Sequence, residues 1–280
     1  MAENPNVRLT LSNRPENVLL VRQALRGVAD AIALDAIELN DISTAVSEAC
    51  NNVAAHAYDG DEGPLEVEIE ATREGLVVIV RDRGTGIRPS LRRPDQAGGG
   101  IGLPVIRALA QRVEFIDLDG GGTEVSMQFA TSKAALLADE RSGQRDDERA
   151  AMDETLASTI AMTIAPTSLA RTVLPRIMGA LAARAYFSTD RISDTQTLAD
   201  ALVEHTDGAI AASHLNVGVS VAPRNLALCI GPLLPGRGSA LVGEELDELG
   251  EVLERLADRH EVSPDGPSSE MLALHMADPR

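Results

Sequence analysis

The chain has 280 residues, with 43 acidic against 25 basic side chains and a formal net charge of −18. Hydrophobic residues make up 44% and aromatic residues 2%, so the length allows one large domain or two ordinary ones with aliphatic cores. Such an acidic surface repels nucleic-acid phosphates and anionic lipid, and the scarcity of aromatic rings argues against base stacking. We therefore expect no direct nucleic-acid or membrane partner.

The cysteines and the N-terminus indicate a reducing compartment. Cys50 and Cys229 do not make a disulfide framework, and no histidine shows metal-ligand spacing with cysteine or carboxylates. The first residues lack the apolar core of a signal peptide, and no apolar stretch approaches the length of a membrane span. We expect a cytoplasmic protein.

The first predicted elements are an edge strand and two helices. Residues 9–11 alternate in polarity, and Pro15 then opens a helix with apolar residues at helical spacing. A second helix is predicted over 39–57. In its segment SEACNNVAAHAY, spacings of four place Glu48, Asn52 and His56 on one face. A solvated polar face is the ordinary interpretation of that pattern alone.

Two strands follow, over 65–71 and 76–81, and the second is apolar throughout, as a central strand would be. Directly after it comes DRGTG, residues 82–86. A carboxylate at a strand end, followed by alternating glycines, suits a pocket where the backbone approaches a flat ligand closely. An ordinary Asp-Gly turn is the alternative.

The segment AGGGIGLPVIRALA, residues 97–110, places several glycines before a helix predicted over 104–112. A helix start of this kind presents free N–H groups and a positive dipole end to phosphate. It is not the familiar phosphate loop, because no Lys-Ser or Lys-Thr follows.

Two last strands are predicted over 113–118 and 124–129, with Thr123 in GGGTEV opening the second. These elements together predict an α+β fold, a sandwich in which helices pack on one face of a mixed sheet.

The order of elements then repeats. Residues 9–52 align with 162–205 at a constant offset of 153, and later strands and a helix align after two short deletions. We predict two tandem α/β sandwiches, with a first domain over 1–131, a charged linker over 132–155 and a second domain over 156–280. Shared helix and strand periodicity is the alternative explanation.

In this order and at these distances, the four motifs of the first domain resemble the N box, the two glycine boxes and the terminal Gly-Thr of the GHKL superfamily. This superfamily contains the ATP-binding domains of gyrase and histidine kinases. Within it, EACNNVAAHAY and GLPVIRALAQRV look most like the anti-sigma serine kinases, which are bacterial switch proteins. The resemblance is close over about 7–130 and faint over 156–280.

The resemblance implies a role for each motif residue. Asp82 would accept a hydrogen bond from the adenine amino group, supported by Thr123, while Gly84 and Gly86 let the backbone close on the base.

The resemblance also implies residues for the phosphates and for catalysis. Asn52 would bind Mg²⁺ through its amide oxygen, and Glu48 would be the general base for a serine hydroxyl. The phosphates would be wrapped by Gly100, Gly102 and the helix after them. The role of His56 stays open.

The second copy lacks these residues. Glu48 aligns with Ala201, Asn52 with His205, Asp82 with Pro232 and Gly84 with Leu234, and the phosphate glycines fall among the acidic residues of EELDEL. We expect the second domain to fold without binding ATP and to act as a built-in partner in an intramolecular pseudo-dimer. A separately tethered binding module is the alternative, and a homodimer of whole chains stays possible.

The function that the resemblance implies is that of a protein serine kinase and anti-sigma factor. It would use ATP and Mg²⁺ to phosphorylate an antagonist protein and would sequester a sigma factor in a partner-switching circuit. A non-catalytic binding module controlled by ATP is the alternative. An ATPase of the histidine-kinase type needs a phosphoacceptor hairpin from another protein, because the ATP domain starts within the first ten residues.

Overall fold

The computed structural model describes residues 5–85, 102–131, 159–206, 208–242, 248–266 and 268–279. Its ten strands form one sheet in the order β4-β5-β3-β2-β1-β6-β7-β8-β10-β9. The strands are β1 (Asn6–Ser12), β2 (Pro64–Thr72), β3 (Gly75–Asp82), β4 (Arg112–Asp117), β5 (Thr123–Phe129), β6 (Thr159–Ala165), β7 (Leu215–Ala222), β8 (Asn225–Leu233), β9 (Arg259–Pro264) and β10 (Glu270–Ala277).

The α-helices of the described ranges are α1 (Val18–Ala31), α2 (Ala36–His56), α3 (Gly102–Leu109), α4 (Ala170–Arg184), α5 (Thr189–Thr206), α6 (Arg237–Val242) and α7 (Glu248–Leu256). A 3-10 turn precedes both α1 and α4. The order of strands and helices from β6 therefore follows that from β1, except that α6 and α7 stand where the described part of the first half has α3. We call 5–131 the first half and 159–279 the second half. None of the described helices combines the length and apolarity needed to cross a membrane.

The α+β class and the placement of helices on one sheet face are confirmed, but the predicted mixed sheet is wrong. Every strand pairing among the described residues is antiparallel. The reason lies in the connection from β3 through α3 to β4. These two strands run parallel, yet β5 lies between them and pairs with both. Strands of both halves belong to this one sheet.

The core lies between this sheet and a single layer of helices packed in the order α3-α2-α1-α4-α5-α7. Residues of β2, β3 and β7 alternate between buried and half-exposed for most of their length, so one face of each of these strands meets the helices. Burying each aliphatic side chain contributes about 1.5–3 kcal/mol. The core of the first half includes Leu65, Val67, Ile69, Val78 and Val80, all at most 1% exposed.

The two halves meet edge to edge. Strand β1 pairs with β6 in antiparallel register, from Asn6 opposite Ala165 to Thr10 opposite Ala161. Above these strands α1 packs against α4, where a Cβ on Gly27 would lie 2.7 Å from Val173 Cγ2. The linker predicted over 132–155 lies outside the described residues, and the division into two domains stays a prediction.

Candidate nucleotide site

Asp82 ends β3 with its carboxylate buried beneath the turn that precedes β5. It is 5% exposed, as is Thr123, and Asp82 Oδ1 accepts a hydrogen bond of 2.9 Å from the Gly84 amide. Burial raises the pKa of this carboxyl, while hydrogen bonds from the backbone of Gly84 and Thr123 act in the opposite direction. Asp82 and Thr123 thus form one small polar surface at the end of two neighbouring strands.

Glycine is required at two positions around Asp82. Gly122 has φ +102°, and a Cβ there would lie 2.1 Å from the Asp82 carbonyl oxygen. A Cβ on Gly84 would lie 1.9 Å from the carbonyl oxygen of Ala57, the residue that caps the end of α2. Any other residue would force these segments apart, so the glycines let the 120–122 turn and the end of α2 close on Asp82.

Helix α2 presents the second group of predicted site residues. Its start is fixed by Asp35, whose carboxylate accepts from the amides of Ile37 and Glu38 at 2.8 and 2.9 Å. One stripe of the helix is buried against the sheet. On another face, Glu48 and Asn52 are half-buried, whereas His56 is exposed.

The start of α3 lies against Glu48 and Asn52. A Cβ on Gly102 would lie 3.0 Å from Glu48 Oε2 and 3.5–3.6 Å from the amide atoms of Asn52. Gly102 is the first residue of the helix, and it is buried. The structure therefore brings together a carboxylate, an amide and a helix N-terminus.

The two groups are connected through the end of α2. The Thr85 amide donates to the Ala57 carbonyl at 2.9 Å, which holds the segment after Asp82 against the helix. Glu48 lies about 14 Å from Ala57 along the axis, at 1.5 Å per residue. The segment of Asp82 and Gly84 therefore lies at the end of α2, and Gly102 lies beside Glu48 and Asn52 about one to three turns earlier on the same helix. The predicted Gly86 and Gly100 lie outside the described residues.

The residues fit a hydrated magnesium ion held with a nucleotide. No group of three or more His, Cys, Asp or Glu in the described parts of the chain could hold a metal unaided. Asn52 offers a hard amide oxygen beside a helix N-terminus that favours phosphate. A cation that keeps several waters and shares phosphate oxygens needs only such a protein ligand.

The matching region of the second half is built differently. Glu270, at the start of β10, accepts from the Gly236 and Gly238 amides at 2.8 and 2.9 Å. Its partner in register is Leu233, which is fully buried. By pairing register, Leu233 and the occupied carboxylate of Glu270 thus lie where the first half has Asp82 and Thr123, one residue away from the Pro232 that the sequence alignment placed opposite Asp82. The EELDEL segment lies largely outside the described residues.

Tyr58 is a residue of this region that no sequence motif predicted. Its hydroxyl accepts a hydrogen bond from the Arg83 amide and donates to the Pro64 carbonyl. A signal was present, because this chain has only two tyrosines and one of them ends the EACNNVAAHAY string.

Comparison with known proteins agrees with this geometry. The model of the histidine kinase-like ATPase domain family matches residues 11–129. The serine-protein kinase RsbW of Bacillus pumilus is 31% identical over 138 residues, which cover 44% of this chain and 85% of that protein. RsbW of Listeria innocua is 31% identical over 140 residues, covering 45% and 88%. The anti-sigma F factor of Clostridium beijerinckii is 28% identical over 134 residues, covering 45% and 93%.

Proposed function

Because the chain belongs to the family of histidine kinase-like ATPases that includes the serine-protein kinases RsbW, we propose that it is an ATP-dependent protein serine kinase and anti-sigma factor. It would phosphorylate an antagonist protein and sequester a sigma factor. The observation that carries this proposal is the grouping of buried Asp82 and Thr123 with Glu48, Asn52 and the start of α3.

In this proposal the adenine lies against Asp82. The carboxylate accepts from the adenine amino group, and Thr123 supports the same edge. The lack of a side chain at Gly84 lets the turn after β3 lie against the end of α2. The phosphates extend toward Gly102 and the N-terminal end of α3, whose free amides favour anions. From the sequence alone, Gly86 is predicted to lie beside the base and Gly100 beside the phosphates.

Phosphoryl transfer then needs positioning and one proton acceptor. Magnesium, held by Asn52, would neutralise phosphate charge. Glu48 takes the proton of a serine hydroxyl on the antagonist while the serine oxygen bonds to the γ-phosphorus. The bond from that phosphorus to the β–γ bridging oxygen breaks, and ADP leaves.

The second half would serve as a built-in partner, in a pseudo-dimer within one chain. The continuous β1–β6 pairing and the packing of α1 on α4 support this role. So do polar contacts between the halves, in which Arg176 pairs with Asp30 and Arg184 donates to Asn17. A solution scattering profile of two independent beads would contradict the pseudo-dimer.

Calorimetric titration of ATP with Mg²⁺ tests the nucleotide site. The wild type should bind one ATP per chain, and Asp82→Asn should lose that binding because the amide presents a donor in place of a carboxylate oxygen. No binding by the wild type would overturn the ATP site and the kinase together.

Transfer of radiolabelled phosphate from ATP to a candidate antagonist separates the kinase from the alternative, a binding module that ATP controls without phosphorylation. The hydrogen-bonded Asp82 pocket supports ATP binding in both. The placement of Glu48 beside Gly102 favours the kinase, since a binding module would need no proton acceptor there.

A further inference from the structure

Tyr58 joins three elements of the first half through one oxygen atom. It follows α2 after Ala57, and its hydroxyl donates to the Pro64 carbonyl at 2.5 Å. The same oxygen accepts from the Arg83 amide at 2.8 Å. The end of α2, the start of β2 and the residue directly after Asp82 are therefore held at fixed separations.

The ring of Tyr58 lies on a rigid support. A Cβ on Gly63 would lie 2.1 Å from Tyr58 Cε1, so only glycine leaves space for the ring. Asn13 holds Gly63 in place. The backbone N–H of Asn13 donates to the Gly63 carbonyl at 2.9 Å, and its side-chain oxygen accepts from the Gly63 backbone N–H at 3.0 Å. Asn13 also donates to the Asp61 carbonyl at 3.2 Å. The hydroxyl therefore has little freedom to move.

Two successive amides fix the turn after β3. The Arg83 amide points to Tyr58, and the Gly84 amide points to Asp82 Oδ1. Because both amides are engaged, the two peptide groups that follow Asp82 are fixed, and with them the position from which the Asp82 side chain extends. Burial raises the pKa of Tyr58, with the nearby Asp82 and Glu66 acting in the same direction, so its hydroxyl keeps its proton at neutral pH.

We propose that Tyr58 is a positioning residue for base recognition, which aims the Asp82 carboxylate through the Arg83 amide without touching the nucleotide. This inference rests on the proposed role of Asp82 as the acceptor for the adenine amino group. Inosine triphosphate has a carbonyl oxygen at that position, and a carboxylate facing a carbonyl has no proton to share. The ratio of ATP to ITP affinity therefore reports how well Asp82 is aimed.

The test compares Tyr58→Phe with Tyr186→Phe, which removes the same hydroxyl from the other tyrosine, 74% exposed in the second half. Calorimetry of full-length protein should show the ATP-to-ITP affinity ratio falling about tenfold or more in Tyr58→Phe and unchanged in Tyr186→Phe. This fold-change corresponds to about 1.4 kcal/mol. A lower melting temperature with an unchanged ratio would reduce Tyr58 to a structural role and overturn the proposal.

If the wild type does not bind ATP, the proposed nucleotide site itself is wrong. If the wild type binds ATP but the ATP-to-ITP affinity ratio is unchanged in Tyr58→Phe, only the role of Tyr58 is wrong.

A measurement on the unaltered tyrosines makes the test independent of the folding of Tyr58→Phe. With ¹³C-labelled tyrosine rings, Tyr186→Phe assigns the two resonances by elimination. ATP should shift the Tyr58 resonance more than ITP does, because only the adenine amino group donates a hydrogen bond to the Asp82 carboxylate. Equal shifts with both nucleotides would contradict the inference.

Discussion

Arg184 of the second half donates a hydrogen bond to Asn17 Oδ1 of the first half at 2.5 Å, and the corresponding residues of the opposite halves cannot form such a pair. At the offset of 153 residues, Arg184 corresponds to Ala31 and Asn17 to Ala170. The second cross-pair, Arg176 with Asp30, likewise corresponds to Gln23 and Ala183. The contacts between the halves are therefore asymmetric. Each polar pair forms once, and the residues at the corresponding positions cannot form a second copy of it.

Removing the Arg184 side chain should weaken this join. Arg184→Ala loses the bond to Asn17 and the 3.7 Å pairing with Glu16. Arg184 is 28% exposed and Glu16 51%, so solvent screening limits the loss to about 1 kcal/mol of unfolding free energy. Urea denaturation measures it. Arg112→Ala is the control, since Arg112 is 70% exposed and pairs within β4; an equal loss there would show no special contribution from Arg184.

Gly27→Ala should separate α1 from α4. A Cβ there would lie 2.8 Å from the Thr172 carbonyl oxygen and from Val173 Cα, which are backbone atoms that cannot give way. We expect a loss of about 1–3 kcal/mol, although alanine in an unobstructed helix would gain about 1 kcal/mol.

Gly179→Ala is the matched control for Gly27→Ala. Its Cβ would meet the end of the flexible Gln196 side chain at 2.4 Å, which can move aside. Thermal denaturation should therefore show a much smaller loss, or a gain. Equal losses for the two variants would indicate that the α1–α4 contact is no tighter than an ordinary helix packing.

Glu48→Gln should separate binding from chemistry. The amide keeps the size of the side chain beside Gly102 but cannot take a proton from serine. Phosphate transfer to an antagonist should fall by about 10²–10⁴-fold, while ATP affinity changes little. Glu254→Gln, at an exposed position of α7, is the control. Undiminished transfer by Glu48→Gln would exclude Glu48 as the general base.

Asp82→Asn should stabilise the protein without nucleotide. The folded-state pKa of Asp82 is raised by burial, so the folded state binds more protons than the unfolded state between the two pKa values. Stability contributed by this group is therefore present at low pH and lost as the pH rises through the folded-state pKa. At pH 7 the variant avoids this cost and should melt at a higher temperature than the wild type. The difference should shrink as the pH falls toward the pKa of Asp82.

The sequence predicted most elements of the fold because the relevant signals are local. Helical spacing located α1 and α2, and the polarity of the strands located β2, β3 and β5 within a few residues of their observed ends. The insertion of β5 between β3 and β4 depends on long-range pairing, which no local pattern records. That omission produced the prediction of a mixed sheet.

Sequence motifs predicted which residues make up the candidate site, and the roles of these residues stay predictions. The contact of Gly102 with Glu48 and the burial of Asp82 agree with the expected grouping. The contacts of Tyr58 and Glu270 join segments distant in sequence, since the Arg83 amide donates to the Tyr58 hydroxyl and the Gly236 amide donates to the Glu270 carboxylate. Only the folded chain shows which tyrosine or glutamate makes such a contact.

The pairing of β1 with β6 inside one chain also changes how the protein responds to its own abundance. Two separate copies would come apart on dilution, whereas a covalently joined partner is present at a fixed effective concentration. The joined state therefore depends on neither expression level nor the arrival of a second molecule. A cell holding a few copies of this protein has the same fraction of paired halves as a cell holding thousands.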